Sequence, residues 1–440
     1  MAEMREPAQR QSQTGAWEER DLIRRLCHAL DIAKLTVEHL APGGYVDLHD
    51  SEKNIRAEKV LSETAVLLLA ASQVAQSEVQ DRVKSLIVCL AAHARSKRAL
   101  IGMCVEPSVA WEYALGHLCL NRLGCPDSDF DTLLLHALHA QAHAGRERVP
   151  HRMLEKEWAA LGLRDLAEDD RRIQMSRLSV LNCPMDLLSC RREDMYAFTH
   201  ALMYVTDFGI RPVPLPRPRE VVLAEAEALL AYCLDEQDYD LAGEILLSWP
   251  LTGKSWSPAA AFAFRVLAHV EDKAGFLPTP GTRISEIEVR SGVERTQYRL
   301  ATAYHTAYVM GLLCAASLRP GHAPPASFAC KDARPGGTAH ILRVLDADGK
   351  HPHWQEEFNQ LTSHEADALA GLLIQVSLRR KTMQRDYSGL LQALEVACDL
   401  DLSDMPSAVQ AAELLDRLAA YSEIEQKMAA TAPADCLEYA

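Results

Sequence analysis

The chain is 440 residues long, 48% hydrophobic and 24% charged, the composition of a folded globular protein with material for a large core. Its 61 acidic residues outnumber 46 basic ones for a net charge of −15, and the basic residues are scattered, which argues against a nucleic-acid-binding surface. No apolar run approaches the roughly 18 to 20 residues that cross a bilayer, the N-terminal stretch MAEMREPAQRQSQTGAWEER has no apolar segment between its charges, and the cysteines include no CxxC pair, so the expectation is a reduced, acidic, cytoplasmic protein without membrane or nucleic-acid partners.

Residues 1–16 are polar and read as a loose N-terminal segment, 429–440 as a C-terminal tail, and 17–428 as one helical domain. Apolar residues recur every three or four positions in Leu22-Ile23-Leu26, Val60-Leu61-Val66-Leu69, Val83-Leu86-Ile87-Leu90, Leu115-Leu118-Leu123 and Leu133-Leu134-Leu138. The pattern continues through 192–206, 219–234, 238–248, 257–272, 294–317, 363–379, 387–399 and 405–428. About fourteen helices result, with no convincing strand pair. Cys27, Cys89, Cys104, Cys119, Cys233, Cys314 and Cys398 sit singly in these stretches and are read as buried thiols. Proline-rich connections at 211–219 and 319–325 favour an extended course and are read as spacers between helix hairpins. The stretch 275–290 reads as a long exposed loop that can wall a site.

Helices 257–270 and 300–317 are nearly all apolar, whereas 219–234 and 405–428 carry more charge. That alternation predicts an all-α fold in which an outer helical layer surrounds an inner one, an α/α toroid. The alternative is an open α-solenoid of helix hairpins, which calls for a fixed period of about 20 to 50 residues. The histidine helices do not keep one: His200 follows His117 by 83 residues and His305 follows His200 by 105.

Tyr196, His200, Tyr204 and Asp207 are spaced by four, four and three residues and share one helix face. His200 with Asp207 is the expected acid/base pair; the competing reading is a core histidine satisfied by hydrogen bonds. Glu112, Tyr113 and His117 precede the acidic turn Asp127, Asp129 and Asp131, read chiefly as the N-terminal cap of the next helix. A third helix places Tyr298, Thr302 and His305 on one side, with Tyr304 and Tyr308 beside them. Three imidazoles converging from inner helices can ligate a divalent metal or move protons around an apolar substrate. The proton-moving reading is preferred, with no metal and no cofactor, with Tyr113, Tyr196, Tyr204, Tyr304, Tyr308 and Trp256 lining the chamber. His136, His139 and His143 lack the acidic partner of an HExxH site and read as a surface face, with His151 nearby. GxGxxG, GxxxxGK[ST] and GxSxG signatures and zinc-ribbon cysteines are absent from the sequence.

The segments Tyr113–Asp131 and Tyr196–Gly209, with Glu155-Lys156-Glu157-Trp158, resemble an uncharacterised bacterial all-helical domain family often met near specialised-metabolite genes; the resemblance extends over most of residues 20–425. It implies an all-α fold and no assigned reaction. The expected architecture is also similar to the α/α toroids of terpene cyclases and lanthionine cyclases, whose motifs this chain lacks. Asp127-Ser-Asp129-Phe-Asp131 is not Asp-x-Asp-Asp, Asp169-Asp170-Arg171 lacks a third aspartate, and Cys27-His28 stands without the other zinc-binding cysteines. The expectation is therefore a cavity enzyme of lyase, isomerase or cyclase type acting on a small molecule or peptide, with oligomeric state open. The alternative is a non-catalytic helical scaffold or ligand-binding protein.

Overall fold

A computed structural model describes residues 17–40, 57–140, 145–163, 170–211, 213–328, 336–346 and 352–431; these form helices joined by turns, with no strand among them. The expected loose segment 1–16 and His143 lie outside the described residues, as does most of the tail, 432–440. The first half holds α1 (Glu19–Glu38), α2 (Ala57–Ala71), α3 (Ser77–Ala94), α4 (Lys97–Val105), α5 (Ala110–Arg122), α6 (Ser128–Leu138), α7 (Pro150–Ala159) and α8 (Asp170–Ser176). Next come α9 (Arg192–Val205), α10 (Arg219–Asp235), α11 (Tyr239–Leu246), α12 (Ser248–Thr252), α13 (Pro258–Ala274), α14 (Ile284–Val289) and α15 (Gly292–Ser317). The chain closes with α16 (Gly337–Asp346), α17 (His353–Phe358), α18 (Ser363–Asp367), α19 (Ala370–Gln384), α20 (Tyr387–Asp399) and α21 (Pro406–Thr431).

Local chemistry sets the helix ends. Side chains of Asp127, Asp238, Ser257 and Asp386 accept from backbone N–H groups in the first turns of α6, α11, α13 and α20, satisfying donors that have no partner inside the helix. Pro150 and Pro258 occupy first helical positions, where a missing N–H costs nothing. The expected loop at 275–290 contains the short helix α14.

Six helices close on themselves. α2 packs on α5, α5 on α7, α7 on α9, α9 on α11, α11 on α15, and α15 returns to α2. Among the described residues, no extensive packing joins members across this ring. α1 covers α15 and α3 covers α2 on one side, while α10 and α13 back α11 on the other, with α19 and α21 behind α10. All eight residues of α11 are buried, as is almost all of α15 from Leu300 onward. Gly243 lets these two helices approach, because a Cβ there would stand 2.6 Å from Val309 Cγ1. The charged appearance of 219–234 is misleading. Most of α10 from Val222 onward is buried, with Glu225 held by Arg217, so α10 stands outside the ring but is itself covered by α19 and α21.

The described cysteines are all unpaired. Cys27, Cys119, Cys233 and Cys314 are buried as expected; Cys104 and Cys398 are exposed and Cys89 half-buried, because they fall on the outer faces of their amphipathic helices.

Candidate active site

Polar side chains from five of the six ring helices meet in one cluster. α11 supplies Asp240 and Glu244, one turn apart in the apolar run Tyr-Asp-Leu-Ala-Gly-Glu-Ile-Leu. α9 answers them at matching spacing: the Tyr196 hydroxyl donates to Asp240 Oδ2 at 2.6 Å, and the Thr199 hydroxyl to Glu244 Oε2 at 2.6 Å. Arg192 fixes the entrance to both helices, donating to the Tyr196 oxygen at 2.9 Å and pairing with Asp238, the cap of α11.

Each carboxylate thus has one oxygen occupied, and the other faces the ring's interior. There His305 of α15 places Nε2 at 3.3 Å from Asp240 Oδ1 and 3.5 Å from Glu244 Oε1, with Nδ1 at 3.1 Å from Glu63 Oε2 on α2. His200 of α9 directs Nε2 to Glu244 Oε1 at 3.6 Å. Its ring lies 5.7 Å from those of His151 and Tyr196 and 6.2 Å from that of Tyr204. The Tyr204 hydroxyl donates to Glu155 Oε1 on α7 at 2.9 Å. On the floor, Tyr304 packs on His305 and Tyr308, and the Tyr308 oxygen shares a hydrogen bond of 2.9 Å with Thr64.

His305 is only partly exposed, at 24% of its side chain, as are His200 at 23% and Glu63 at 22%. The cluster is therefore deep and still partly accessible. Its electrostatics follow from the acids. Burial opposes charge on His305, but the charges of Glu63 and Asp240 and contact with Glu244 carry its pKa well above that of an ordinary imidazole. Burial pushes the Glu244 carboxyl up, and His200 and His305 override it, holding the group far below the usual carboxylate range. Glu63 is likewise held low against burial, by His305 first and Lys59 after it. His151 is pulled down to about 4 by burial and then by His200. The Tyr196 phenol is raised by burial and by Asp240.

Of the residues singled out in sequence, the structure brings His200, His305, Tyr196 and Tyr204 into this cluster, with Tyr304 and Tyr308 buried in the core beside His305. The others lie elsewhere. Asp207 does not pair with His200: it is fully buried, accepts two hydrogen bonds from Arg122 at 2.8 Å and one from Trp158 Nε1 at 2.6 Å, and has Arg211 at 3.7 Å. The helix ends at Val205, and Asp207, Phe208 and Gly209 all take positive φ, so the residue leaves the stripe that its spacing implied. His117 is turned toward a separate network of Arg95, Asn121 and Asp131, stacked on Phe130 at 4.1 Å; three imidazoles do not converge. Asp127 accepts from the Phe130 N–H as the expected cap, while Asp131 is taken by His117. Tyr113 donates to Glu106 at 3.2 Å on an exposed face. Trp256 donates to the His322 carbonyl at 2.7 Å and stacks on Trp249. His136 and His139 are surface residues.

Sequence reasoning missed Glu63, Asp240, Glu244, His151 and Glu155. The available signal was a pair of carboxylates one turn apart in a helix with no solvated face, a placement that is expensive unless it is used or compensated.

The profile of a family described as a domain of unknown function, DUF6895, matches residues 26–315, and the chain belongs to that family. No curated protein and no solved structure matches the chain significantly.

Proposed function

We propose that this DUF6895 protein is a cavity enzyme that tailors a small molecule or peptide in specialised metabolism, by proton transfer of lyase, isomerase or cyclase type inside an α/α toroid. The observation that supports this reading is the cluster itself: ionisable groups from five helices, partly accessible, brought together where those helices pack.

His200 is the proton carrier. Its Nε2 faces the ionised Glu244, which favours the tautomer protonated there, and its Nδ1 is buried without a hydrogen-bond partner. That lone pair is committed to no protein hydrogen bond. Taking a proton from a substrate carbon leaves an electron pair that forms a new double bond, and the proton returns either to a departing group or to a neighbouring carbon. Glu244 stabilises the imidazolium formed meanwhile, and the Tyr196 phenol, gripped by Asp240 and Arg192, orients the substrate.

The test compares wild type with His200→Gln and His200→Ala. Both variants are expected to melt near the wild-type temperature, while the mass-spectrometric change that the wild type produces in bacterial metabolite and peptide extracts disappears. Collapse of the fold in both would make His200 a structural group and overturn the reading.

A further inference from the structure

We propose that the floor of the cluster is a divalent transition-metal site, with His305 Nε2, Asp240 Oδ1 and Glu244 Oε1 as ligands and Glu63 as the acid that orients the imidazole. The inference rests on the reading of this cluster as an active site and names the cofactor it would use. It differs from the three-imidazole set that the sequence suggested, and His200 is kept out of it as the proton carrier.

The geometry comes first. The three donor atoms lie within 4.8 Å of one another, and the two separations from His305 Nε2 are 3.3 and 3.5 Å. Those are long for N–H···O hydrogen bonds, which centre on about 2.9 Å. They suit neighbouring ligands on one ion, since bonds of about 2.0 to 2.2 Å at near-tetrahedral angles put donor atoms roughly 3.3 to 3.6 Å apart.

The donor inventory is the second, independent observation. Asp240 is 6% exposed, and its Oδ1 is buried without a hydrogen bond although Oδ2 is engaged by Tyr196. Glu244 has Oε2 taken by Thr199 and Oε1 turned toward His305 and His200 at 3.5 and 3.6 Å. An uncompensated carboxylate oxygen inside a protein is costly. The unpaired Asp240 oxygen and the Glu244 oxygen beside it point at one imidazole nitrogen and make a cage for a cation. Glu63, Asp240 and Glu244 bring three negative charges, faced by His305, His200 and the half-exposed Lys59 at 3.6 Å from Glu63.

The third element is Glu63. A carboxylate on the far nitrogen of a metal-bound imidazole fixes its orientation and raises its basicity, and Glu63 Oε2 stands 3.1 Å from His305 Nδ1. One imidazole and two carboxylates favour zinc, manganese or iron over magnesium or calcium, which prefer all-oxygen sites. His200, on the Glu244 oxygen that would face the ion, then adjoins a substrate group polarised by it.

The experiment strips the full chain with chelator, verifies its fold by circular dichroism, and titrates it calorimetrically with Zn²⁺, Mn²⁺ and Mg²⁺. About one equivalent of Zn²⁺ or Mn²⁺ is expected to bind at least tenfold more tightly than Mg²⁺. Asp240→Asn and Glu244→Gln should abolish that uptake, Glu63→Gln should weaken it by about 10- to 100-fold, and His200→Gln should leave it within a few-fold. In case the carboxylate variants misfold, wild-type protein carrying Mn²⁺ and ¹⁵N-histidine is examined by pulsed electron paramagnetic resonance, where coupling to one imidazole nitrogen is expected. Absence of uptake by the folded wild type, of selectivity over Mg²⁺, or of nitrogen coupling overturns the metal site. None of these results touches the role of His200, which is judged by its own variants.

Discussion

Arg95 donates through Nε to Nδ1 of His117 at 3.0 Å, and that contact fixes the tautomer of a fully buried imidazole. With Nδ1 accepting, the proton sits on Nε2 and is donated to Asp131 at 2.7 Å. Burial, and secondarily the Arg95 charge, lower the His117 pKa against the opposing pull of Asp131. The folded state therefore takes up this proton less readily than the unfolded chain, whose histidines titrate near about 6.5. The contribution of neutral His117 to stability is fully present above that pH and is lost as pH falls through it toward the lower folded value. Urea midpoints measured between pH 8 and 5 should show a fall in stability that is smaller in His117→Gln. A nitrogen-correlated NMR spectrum showing the proton on Nδ1 at pH 8 would contradict the assignment.

Asp207 and His200, seven residues apart, should respond oppositely to conservative replacement. Asp207→Asn leaves the Arg122 guanidinium in a buried site without its counter-charge, and removing one partner of a buried pair costs about 3 to 5 kcal/mol. His200, with 23% of its side chain exposed, should tolerate Gln with a loss below about 1 kcal/mol. Equal losses in denaturant unfolding would return Asp207 and His200 to a single network.

The contrast shows how far the sequence could be read. Helical periodicity was enough for an all-α fold, because it reports which side of each helix must be buried, and that side is the same wherever the partner comes from. It also placed His200 and His305 on inward faces. What it could not supply was which helices meet. Glu63 on α2 and His305 on α15 are 242 positions apart, and nothing local marks Glu63 within Leu-Ser-Glu-Thr-Ala as different from a solvated glutamate. The pairing of His200 with Asp207 failed for a local reason instead: three consecutive positive-φ residues, two of them not glycine, end the stripe where helical spacing would have carried it on. The charge on α10 hid how deeply it is buried, because Glu225 is neutralised by Arg217 from outside the helix.

The closeness of α11 and α15, on which the spacing of Glu244 and His305 depends, should be adjustable through one contact. Adding a methyl group at Gly243 drives it into Val309, and overpacking of this kind costs about 1 to 3 kcal/mol. Gly243→Ala should lower stability by that amount. Combining it with Val309→Ala should recover much of the loss by vacating the volume. A double-mutant cycle with no coupling between the two would show that the helices are spaced by something else.

The turn that separates Asp207 from His200 can be tested through Gly209, which combines φ of +74° with a Cβ direction occupied by the Arg319 guanidinium. Arg319 also donates to the Phe208 carbonyl at 2.6 Å, so a side chain at 209 must both adopt a left-handed backbone and displace the group that clamps the turn. Gly275 provides the comparison, with φ of +76° and open space where its Cβ would stand. Alanine at 275 therefore incurs the backbone penalty alone, about 1 to 2 kcal/mol. Alanine at 209 should cost clearly more, about 2 to 4 kcal/mol, as strained backbone and steric displacement add. If unfolding in denaturant gives the two variants the same loss, Arg319 moves aside freely and does not hold the turn. If the 209 variant is worse and Arg319→Ala removes the difference, the guanidinium is the clamp that keeps residues 207–209 left-handed and Asp207 on Arg122.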